Sequence, residues 1–126
     1  MNKRIRFILP FAIASVLLLM SAACANQTGP SIYGQWKGAY ESDDVLMVME
    51  KGGTITISTL GSTYTGTFTM DASTDPIQFN MDYEGLGYIE TIIEFVDEDT
   101  IRIENNVAGA ARPTTFTDFV LLTRDK

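Results

Sequence analysis

The sequence contains no histidine and a single cysteine, Cys24, among its 126 residues. The absence of histidine excludes a Ser-His-Asp or Cys-His catalytic arrangement and a histidine zinc site. One cysteine excludes an internal disulfide framework and a CxxC metal or redox pair. Basic residues are also few, 9 against 16 acidic ones, and the net charge of −7 argues against a nucleic-acid partner. The length allows one domain.

Only one long run of mostly apolar residues is present, and it lies near the N-terminus. Basic residues at positions 3–6 precede fourteen uncharged residues, 7–20, which are followed by Ser-Ala-Ala-Cys at positions 21–24. A basic start, a short apolar stretch and a small-residue cleavage site are typical of a secretory signal peptide. The run is short for a spanning helix, which needs about 20 apolar residues. We therefore predict that residues 1–23 are a signal peptide.

Cys24 and the small residues before it resemble the bacterial lipobox. In that motif the cysteine thiol receives a diacylglycerol, the signal is cut before the cysteine, and the new N-terminus is usually acylated. Ser21 stands where the family prefers leucine. The resemblance implies an envelope lipoprotein anchored to the membrane through Cys24, and Ala25 favours the outer membrane if the bacterium has one. The alternatives are secretion with a free thiol and an uncleaved signal anchor.

Removal of the predicted signal changes the charge of the chain. It takes away three basic residues, which leaves 6 basic residues against 16 acidic ones and a net charge of −10. We predict that residues 24–31 are an acylated N-terminus and polar tether, whose seven residues after Cys24 reach at most about 23 Å. The remaining domain, residues 32–126, is acidic and should repel nucleic acid and anionic membrane surfaces alike.

Alternation of apolar and polar residues dominates the sequence after Pro30, where helical spacing is missing. The apolar residues from Ile77 to Tyr83, for example, occupy every second position. Turn residues divide these runs into eight predicted strands, at 32–40, 45–50, 54–60, 63–71, 76–83, 87–96, 100–105 and 115–124. Short antiparallel strands have exposed edges unless the sheet closes. We therefore predict an all-β fold, a small antiparallel meander barrel of about eight strands.

The interior of such a barrel is filled by side chains or holds one small ligand. The large residues available to fill it are Trp36, Phe68, Phe79, Phe95, Phe116 and Phe119. The alternative is an adaptable apolar cavity. Its candidate lining residues are Met47, Met49, Phe68, Met70, Phe79 and Met81. The residue sizes favour the filled barrel.

Gly34 and Trp36 begin the first predicted strand, and Arg124 ends the last. This arrangement resembles the lipocalins and wider calycins, in which a tryptophan closes one barrel end and a late arginine stacks on it. A guanidinium over a tryptophan face contributes about 0.5–2 kcal/mol. Gly34 would permit close approach of the backbone beneath the ring. The resemblance implies a lipocalin-like barrel closed by these three residues.

A second set of motifs lies further along the chain. It comprises the segment 66–71 (GTFTMD), Asp75-Pro76, a strand after the acidic turn at 97–99, and the segment 112–116 (RPTTF). Their order resembles a lipocalin-like domain of bacterial secreted proteins and lipoproteins whose function is uncharacterised. A cysteine often found in the penultimate strand of that family is absent. The resemblance covers most of residues 32–124 and implies a fold but no activity.

Other candidate sites have simpler structural explanations. Acidic residues at 43–44 and 97–99 lie at predicted turns and lack a calcium-loop motif, so we predict no metal. Glu90 and Glu94 lie on one strand face about 13 Å apart, too far for the carboxylate pair of a glycosidase. Arg112 and the proline after it predict a structural turn, with the arginine paired to a carboxylate. We predict neither an enzyme nor a cofactor.

The sequence thus predicts a membrane-anchored envelope lipoprotein with a non-catalytic, lipocalin-like binding domain. Its ligand would be a small apolar molecule. The alternative is an interaction or structural module that contacts another envelope protein. A carrier requires a connected apolar cavity of about 300 Å³ or more, open at one end. An interaction module would have a filled barrel and an exposed apolar patch.

Overall fold

Eight antiparallel strands close into a barrel in the computed structural model, which describes residues 30–126. The strands are β1 (Gly34–Tyr40), β2 (Asp43–Met49), β3 (Thr54–Thr59), β4 (Ser62–Asp71), β5 (Ile77–Tyr83), β6 (Gly87–Asp97), β7 (Thr100–Glu104) and β8 (Phe119–Arg124). Each strand pairs with the next along the chain, and β8 pairs with β1. The predicted all-β meander barrel of eight strands is confirmed. The predictions for the signal peptide, Cys24 and residues 24–29 lie outside the described residues.

The register of the strand pairs places apolar side chains next to one another on the inner face of the barrel. Trp36 lies opposite Met47, Met47 opposite Ile57, and Ile57 opposite Tyr64. Because successive side chains of a strand point to opposite faces, every second residue of each strand faces inward. The buried apolar cluster is Ile32, Trp36, Val45, Met47, Met49, Ile55, Phe68, Phe79, Met81, Tyr83, Ile89, Ile93, Ile101, Ile103 and Leu122.

The chain enters and leaves the barrel at the same end. Trp36 near the start of β1 lies directly opposite Arg124 at the end of β8. Ile32 precedes β1, is buried, and its carbonyl accepts a hydrogen bond from Trp36 Nε1 at 2.9 Å. We call this the Trp36 end. The other end, which we call the mouth, is bounded by the turns at 41–42, 60–61 and 84–86 and by the β7–β8 loop, residues 105–118.

The last strand begins later than the sequence predicts. Residues 115–118, predicted as the start of β8, belong to the β7–β8 loop, and β8 begins at Phe119. The buried carboxylate of Glu104 accepts hydrogen bonds from the backbone N–H groups of Thr117, at 2.9 Å, and Asp118, at 3.0 Å. These amides are satisfied by a side chain instead of a sheet partner, which holds the segment as a loop.

Two aromatic residues predicted to fill the interior lie outside the barrel. Phe119 is 39% exposed, and Phe116 is half-buried. Their ring centroids lie 5.1 and 4.1 Å from the guanidinium carbon of Arg102, which projects from the outer face of β7. The prediction that they are core residues was wrong, because Phe119 takes an outward-facing position of β8, as Leu121 does, and Phe116 lies in the β7–β8 loop. Trp36, Phe68 and Phe79 are buried as predicted.

Candidate functional site

Arg124 closes the Trp36 end of the barrel. Its guanidinium carbon lies 4.2 Å from the centroid of the Trp36 ring. Its Nη1 donates to the carbonyl of Tyr33 at 2.9 Å, and its Nη2 donates to the carbonyl of Glu98 at 3.1 Å. Its Nε donates to the Asp99 carboxylate at 3.1 Å. The arginine therefore ties β8 to the segment before β1 and to the β6–β7 turn.

The three residues predicted for barrel closure meet at this end. Gly34 has a positive φ of 128°, and a Cβ added there would come within 3.1 Å of Arg124 Nη1. The glycine therefore makes room for the guanidinium of Arg124. Asp99 completes the cluster: a hydrogen bond from Lys126 Nζ at 3.0 Å, followed by the contact with Arg124, lowers the pKa of the Asp99 carboxyl.

A cavity of about 270 Å³ occupies the mouth half of the barrel. Its walls are mainly aliphatic and thioether side chains, contributed by Val45, Met47, Ile57, Met81, Ile89, Ile103, Val120 and Leu122. Leu60 and Leu86, in the turns of the mouth, also contact the cavity and are 74% and 41% exposed. The cavity therefore runs from the middle of the barrel to its mouth, away from Trp36.

The predicted cavity residues divide between the two halves of the barrel. Met47 and Met81 line the cavity. Met49, Phe68 and Phe79 are buried in the apolar cluster, where the two phenylalanine rings lie 5.6 Å apart. Met70 is partly buried and packs against that cluster. The barrel is thus filled around Trp36 and hollow towards the mouth.

Three tyrosines are among the residues that line the cavity, namely Tyr40, Tyr64 and Tyr83. The hydroxyl of Tyr83 donates to the sulfur of Met81 at 3.3 Å. From the sequence, Tyr33, Tyr40, Tyr64, Tyr83 and Tyr88 were candidates for a recognition patch, but five tyrosines in a strand-rich domain need no such role, and none was predicted to line a cavity. The alternation that places Met81 inside also places Tyr83 inside, two residues later on β5, and this was the available signal.

Tyr40 belongs to a hydrogen-bonded group at the mouth. Its hydroxyl donates to Asp118 Oδ2 at 2.8 Å and accepts from Asn105 Nδ2 at 3.2 Å. The hydrogen bond to the Asp118 carboxylate, which favours the protonated phenol, raises the pKa of Tyr40 to about 12. The group joins the end of β1 to both ends of the β7–β8 loop and so shapes one side of the mouth.

Arg112 fixes the middle of the β7–β8 loop to the outside of β5 and β6. Its Nη1 donates to the carbonyl of Thr91 at 2.7 Å, and its Nη2 donates to Asn80 Oδ1 at 2.7 Å and Glu90 Oε2 at 3.2 Å. Glu94 is paired separately, with Arg102 at 2.6 Å. The predicted pairing of Arg112 with a carboxylate is thus present in the structure.

The acidic segments 43–44 and 97–99 lie at strand ends or in the turn beside them. No group of three or more cysteine, aspartate or glutamate side chains within residues 30–126 is arranged to hold a metal ion. Asp43 and Asp44 begin β2 instead of lying in the turn, which is formed by Glu41 and Ser42, both with positive φ. The same part of the chain contains no helix long and apolar enough to cross a membrane.

A second depression lies on the outer surface between the first two mouth turns. It has a volume of about 860 Å³ and is lined by residues of β1–β3 and the turns at 41–42 and 60–61. Exposed polar residues such as Ser42, Asp44 and Ser62 form much of it. It is more open and more polar than the smaller cavity, which has the apolar walls expected of a ligand site.

Comparisons of the chain with protein-family models, with curated proteins and with solved structures returned no match. The site is therefore defined by its geometry: a closed barrel, an end at which Arg124 stacks on Trp36, and an apolar cavity that reaches the mouth.

Proposed function

We propose that this protein is a lipid-anchored envelope lipoprotein whose lipocalin-like barrel binds a small apolar ligand. The observation that carries the proposal is a cavity with apolar walls that reaches the mouth. Its volume of about 270 Å³ is slightly below the value of about 300 Å³ given above for a carrier, which restricts it to a small ligand. Ligand sites are typically concave and mostly apolar, with a few polar groups that orient the ligand. Binding without catalysis also agrees with a sequence that lacks histidine.

The size of the cavity limits the ligand. An apolar cavity of about 150 Å³ accommodates benzene, so about 270 Å³ accommodates a molecule of roughly ten non-hydrogen atoms. A longer ligand would extend past Leu60 and Leu86 into solvent. We therefore expect a short amphiphile or a single ring with a side chain, and not a complete membrane lipid.

A cavity-filling variant tests ligand binding. Val120 lines the cavity from β8, and its neighbour Leu121 is exposed on the outer face of the same strand. We expect Val120→Phe to reduce the affinity for n-butylbenzene at least about ten-fold, because the new ring occupies the space of the ligand. Leu121→Phe is the matched control and should bind as the wild type does. Titration of isoleucine methyl NMR signals measures both.

Equal binding of n-butylbenzene by the two variants would place the ligand elsewhere and contradict the assignment of the cavity. Absence of binding to the wild-type protein, at concentrations up to the solubility of the probe, would contradict the carrier function itself.

The anchor is proposed on the lipobox-like segment before Cys24. Two or three acyl chains bind a membrane stably, because each buried CH₂ contributes about 0.8 kcal/mol. We expect the full-length protein in the membrane fraction of a bacterial host. The Cys24→Ser protein should either be soluble or keep its signal peptide, and its mass should lack that of the lipid. A Cys24→Ser protein that stayed in the membrane with its signal removed would refute lipidation.

The tether is expected to leave the mouth accessible. The described chain enters the barrel through Ile32 at the Trp36 end, opposite the mouth. We propose that the Trp36 end faces the anchoring membrane, the outer one where two are present, and that the mouth faces away from it. Paramagnetic lipids should therefore broaden NMR signals of the β2–β3 turn at Lys51 more than those of the mouth turn at Leu60.

A second function is favoured by the apolar residues at the mouth. Leu60, Leu86 and Val107 project from three different mouth segments and are well exposed. They could contact another envelope protein. If this function is the main one, Leu60→Ser combined with Val107→Ser will abolish a cross-linked complex in intact cells, whereas Val120→Phe will leave that complex unchanged.

A further inference from the structure

We propose that the ligand of the cavity is an uncharged amphiphile whose hydroxyl or carbonyl oxygen accepts a hydrogen bond from Tyr83. The inference rests on the proposed carrier function and adds the chemical class of the ligand. Two independent observations support it: a buried hydroxyl without a strong acceptor, and a cavity lining that carries carboxylates but no cation.

The hydroxyl of Tyr83 has unused hydrogen-bonding capacity. Tyr83 is 3% exposed, faces inward at the end of β5 and lines the cavity. Its hydroxyl donates to the sulfur of Met81 at 3.3 Å, and a thioether is a weak acceptor. Buried polar groups normally have a full hydrogen-bond partner. A ligand oxygen in the cavity would supply the acceptor that this hydroxyl lacks.

Tyr83 remains a donor at neutral pH. Burial disfavours the charged phenolate and raises the pKa of Tyr83 well above its ordinary value. The deprotonated form, which could accept but not donate, is therefore absent under ordinary conditions. A ligand group that accepts a hydrogen bond from this O–H must carry a lone pair.

The charge of the cavity lining excludes a carboxylate ligand. The lining includes Asp43 and Glu104 and contains neither lysine nor arginine. A carboxylate drawn into this space would lose hydration without a cation to pair with, and that cost is large. Arg112, the cation of the β7–β8 loop, donates to Thr91, Asn80 and Glu90 on the strands.

A cationic ligand fits less well than a neutral one. An ammonium group donates hydrogen bonds but has no lone pair, so it cannot accept from Tyr83. The Glu104 oxygens already accept from the backbone of Thr117 and Asp118. Asp43 is exposed at the mouth, where water and salt weaken an ion pair. An alcohol or a ketone satisfies Tyr83 without any of these costs.

A matched series of eight-carbon probes tests the class of ligand. Octan-1-ol, octanoate and octylammonium have about the same length and differ in charge, and n-butylbenzene is an apolar reference of about ten non-hydrogen atoms that fits the cavity. Affinities are measured by isothermal titration and isoleucine methyl NMR at neutral pH. We expect octan-1-ol to bind at least about ten-fold more tightly than octanoate or octylammonium.

Tyr83→Phe tests the hydrogen bond itself, because it removes one oxygen and leaves the ring. We expect it to weaken octan-1-ol binding about two- to twelve-fold, the range of a single hydrogen bond, and to leave n-butylbenzene binding unchanged. Tyr88→Phe, on the exposed face of β6, is the control and should change neither affinity.

The outcomes separate this inference from the function on which it rests. If octanoate or octylammonium binds as tightly as octan-1-ol, or if Tyr83→Phe binds octan-1-ol normally, the class assigned here is wrong and the carrier function stands. If neither octan-1-ol nor n-butylbenzene binds the wild-type protein, the carrier function fails and this inference fails with it.

Discussion

Trp36 is the only tryptophan of the sequence, and Arg124 stacks on its ring. The contacts of Arg124 show why a lysine could not replace this arginine. The guanidinium covers the indole ring and at the same time donates in three directions, to Tyr33, Glu98 and Asp99. A planar group with five N–H donors can make such contacts together, whereas an ammonium is a compact, strongly hydrated charge. The residue chemistry therefore joins stacking and hydrogen bonding in one side chain.

We expect Arg124→Lys to lower the free energy of unfolding by about 1–3 kcal/mol, since it loses the stack on Trp36 and the hydrogen bonds to the carbonyls of Tyr33 and Glu98. Urea unfolding followed by Trp36 fluorescence measures it. Lys126→Gln removes only an exposed ion pair with Asp99 and should change stability by less than about 1 kcal/mol. Equal effects of the two substitutions would show that the stack contributes nothing beyond surface charge.

Tyr40 gives a prediction about alkaline pH. The phenol pKa is raised to about 12, mainly by the hydrogen bond to Asp118. Folding therefore favours the protonated phenol, and this stabilisation is complete below about pH 10, the usual tyrosine pKa, and is lost as the pH rises through about 12. We expect Asp118→Asn to return the pKa of Tyr40 towards its usual value.

Absorbance titration of phenolate formation measures the shift, and the difference between the wild type and Tyr40→Phe assigns the signal to this residue. Glu41→Gln, which removes a nearby charge but no hydrogen bond to Tyr40, should change the titration much less. An unchanged Tyr40 titration in Asp118→Asn would contradict the role given to this hydrogen bond.

At the scale of the elements, the strands could be predicted because their signal is local. Most of β1–β7 follow the alternation of their own residues, and the observed ends of all seven lie within two residues of the predicted ones. The segment 115–118 also alternates, but Glu104 binds its backbone from a distant strand. A contact between β7 and a loop more than ten residues later leaves no local pattern, so the start of β8 and the positions of Phe116 and Phe119 were mispredicted.

Glu104→Gln tests this account of the β7–β8 loop. The carboxylate accepts four hydrogen bonds from Thr117 and Asp118, and an amide presents N–H groups to some of the same donors. We expect the substitution to cost about 1–3 kcal/mol of stability. Hydrogen exchange of the Thr117 and Asp118 amides should accelerate more than that of β1–β6.

Glu98→Gln, in the exposed β6–β7 turn, is the control for the loss of one negative charge. If both variants unfold at the same urea concentration and protect the same amides, the Glu104 carboxylate does not hold the loop, and another cause for the late start of β8 must be sought.

At the scale of the whole molecule, the sequence predicted the barrel but not how its interior is divided. Large residues and methionines were both visible, and the residue sizes favoured a filled interior over a hollow one. The division arises because Trp36, Phe68 and Phe79 come together in one half, whereas the other half receives the smaller Val45, Ile57 and Val120. That outcome depends on the register of every strand pair, which no single stretch of sequence determines.

The closure between β1 and β8 also depends on one small residue. The pairing extends over four residue pairs, from Trp36 with Arg124 to Ala39 with Leu121, whereas β1 and β2 share seven. Gly38 lies in this short seam opposite Leu122. A Cβ at Gly38 would overlap the carbonyl oxygen of Leu121 and lie 2.8 Å from the side chain of Leu122. The two strands can approach this closely only because position 38 has no side chain.

We expect Gly38→Ala to force β1 and β8 apart at a cost of about 2 kcal/mol, which lowers the thermal midpoint by roughly 10 °C in a domain of this size. Gly52→Ala is the matched control, because a Cβ there meets nothing within 4 Å, and its midpoint should stay close to that of the wild type. Circular dichroism gives the midpoints, and hydrogen exchange locates the change, which should be greatest at the amides of residues 36–39 and 121–124. Equal midpoints for the two variants would mean that the seam tolerates a side chain at position 38, and that the barrel closes for another reason than the close approach of these strands.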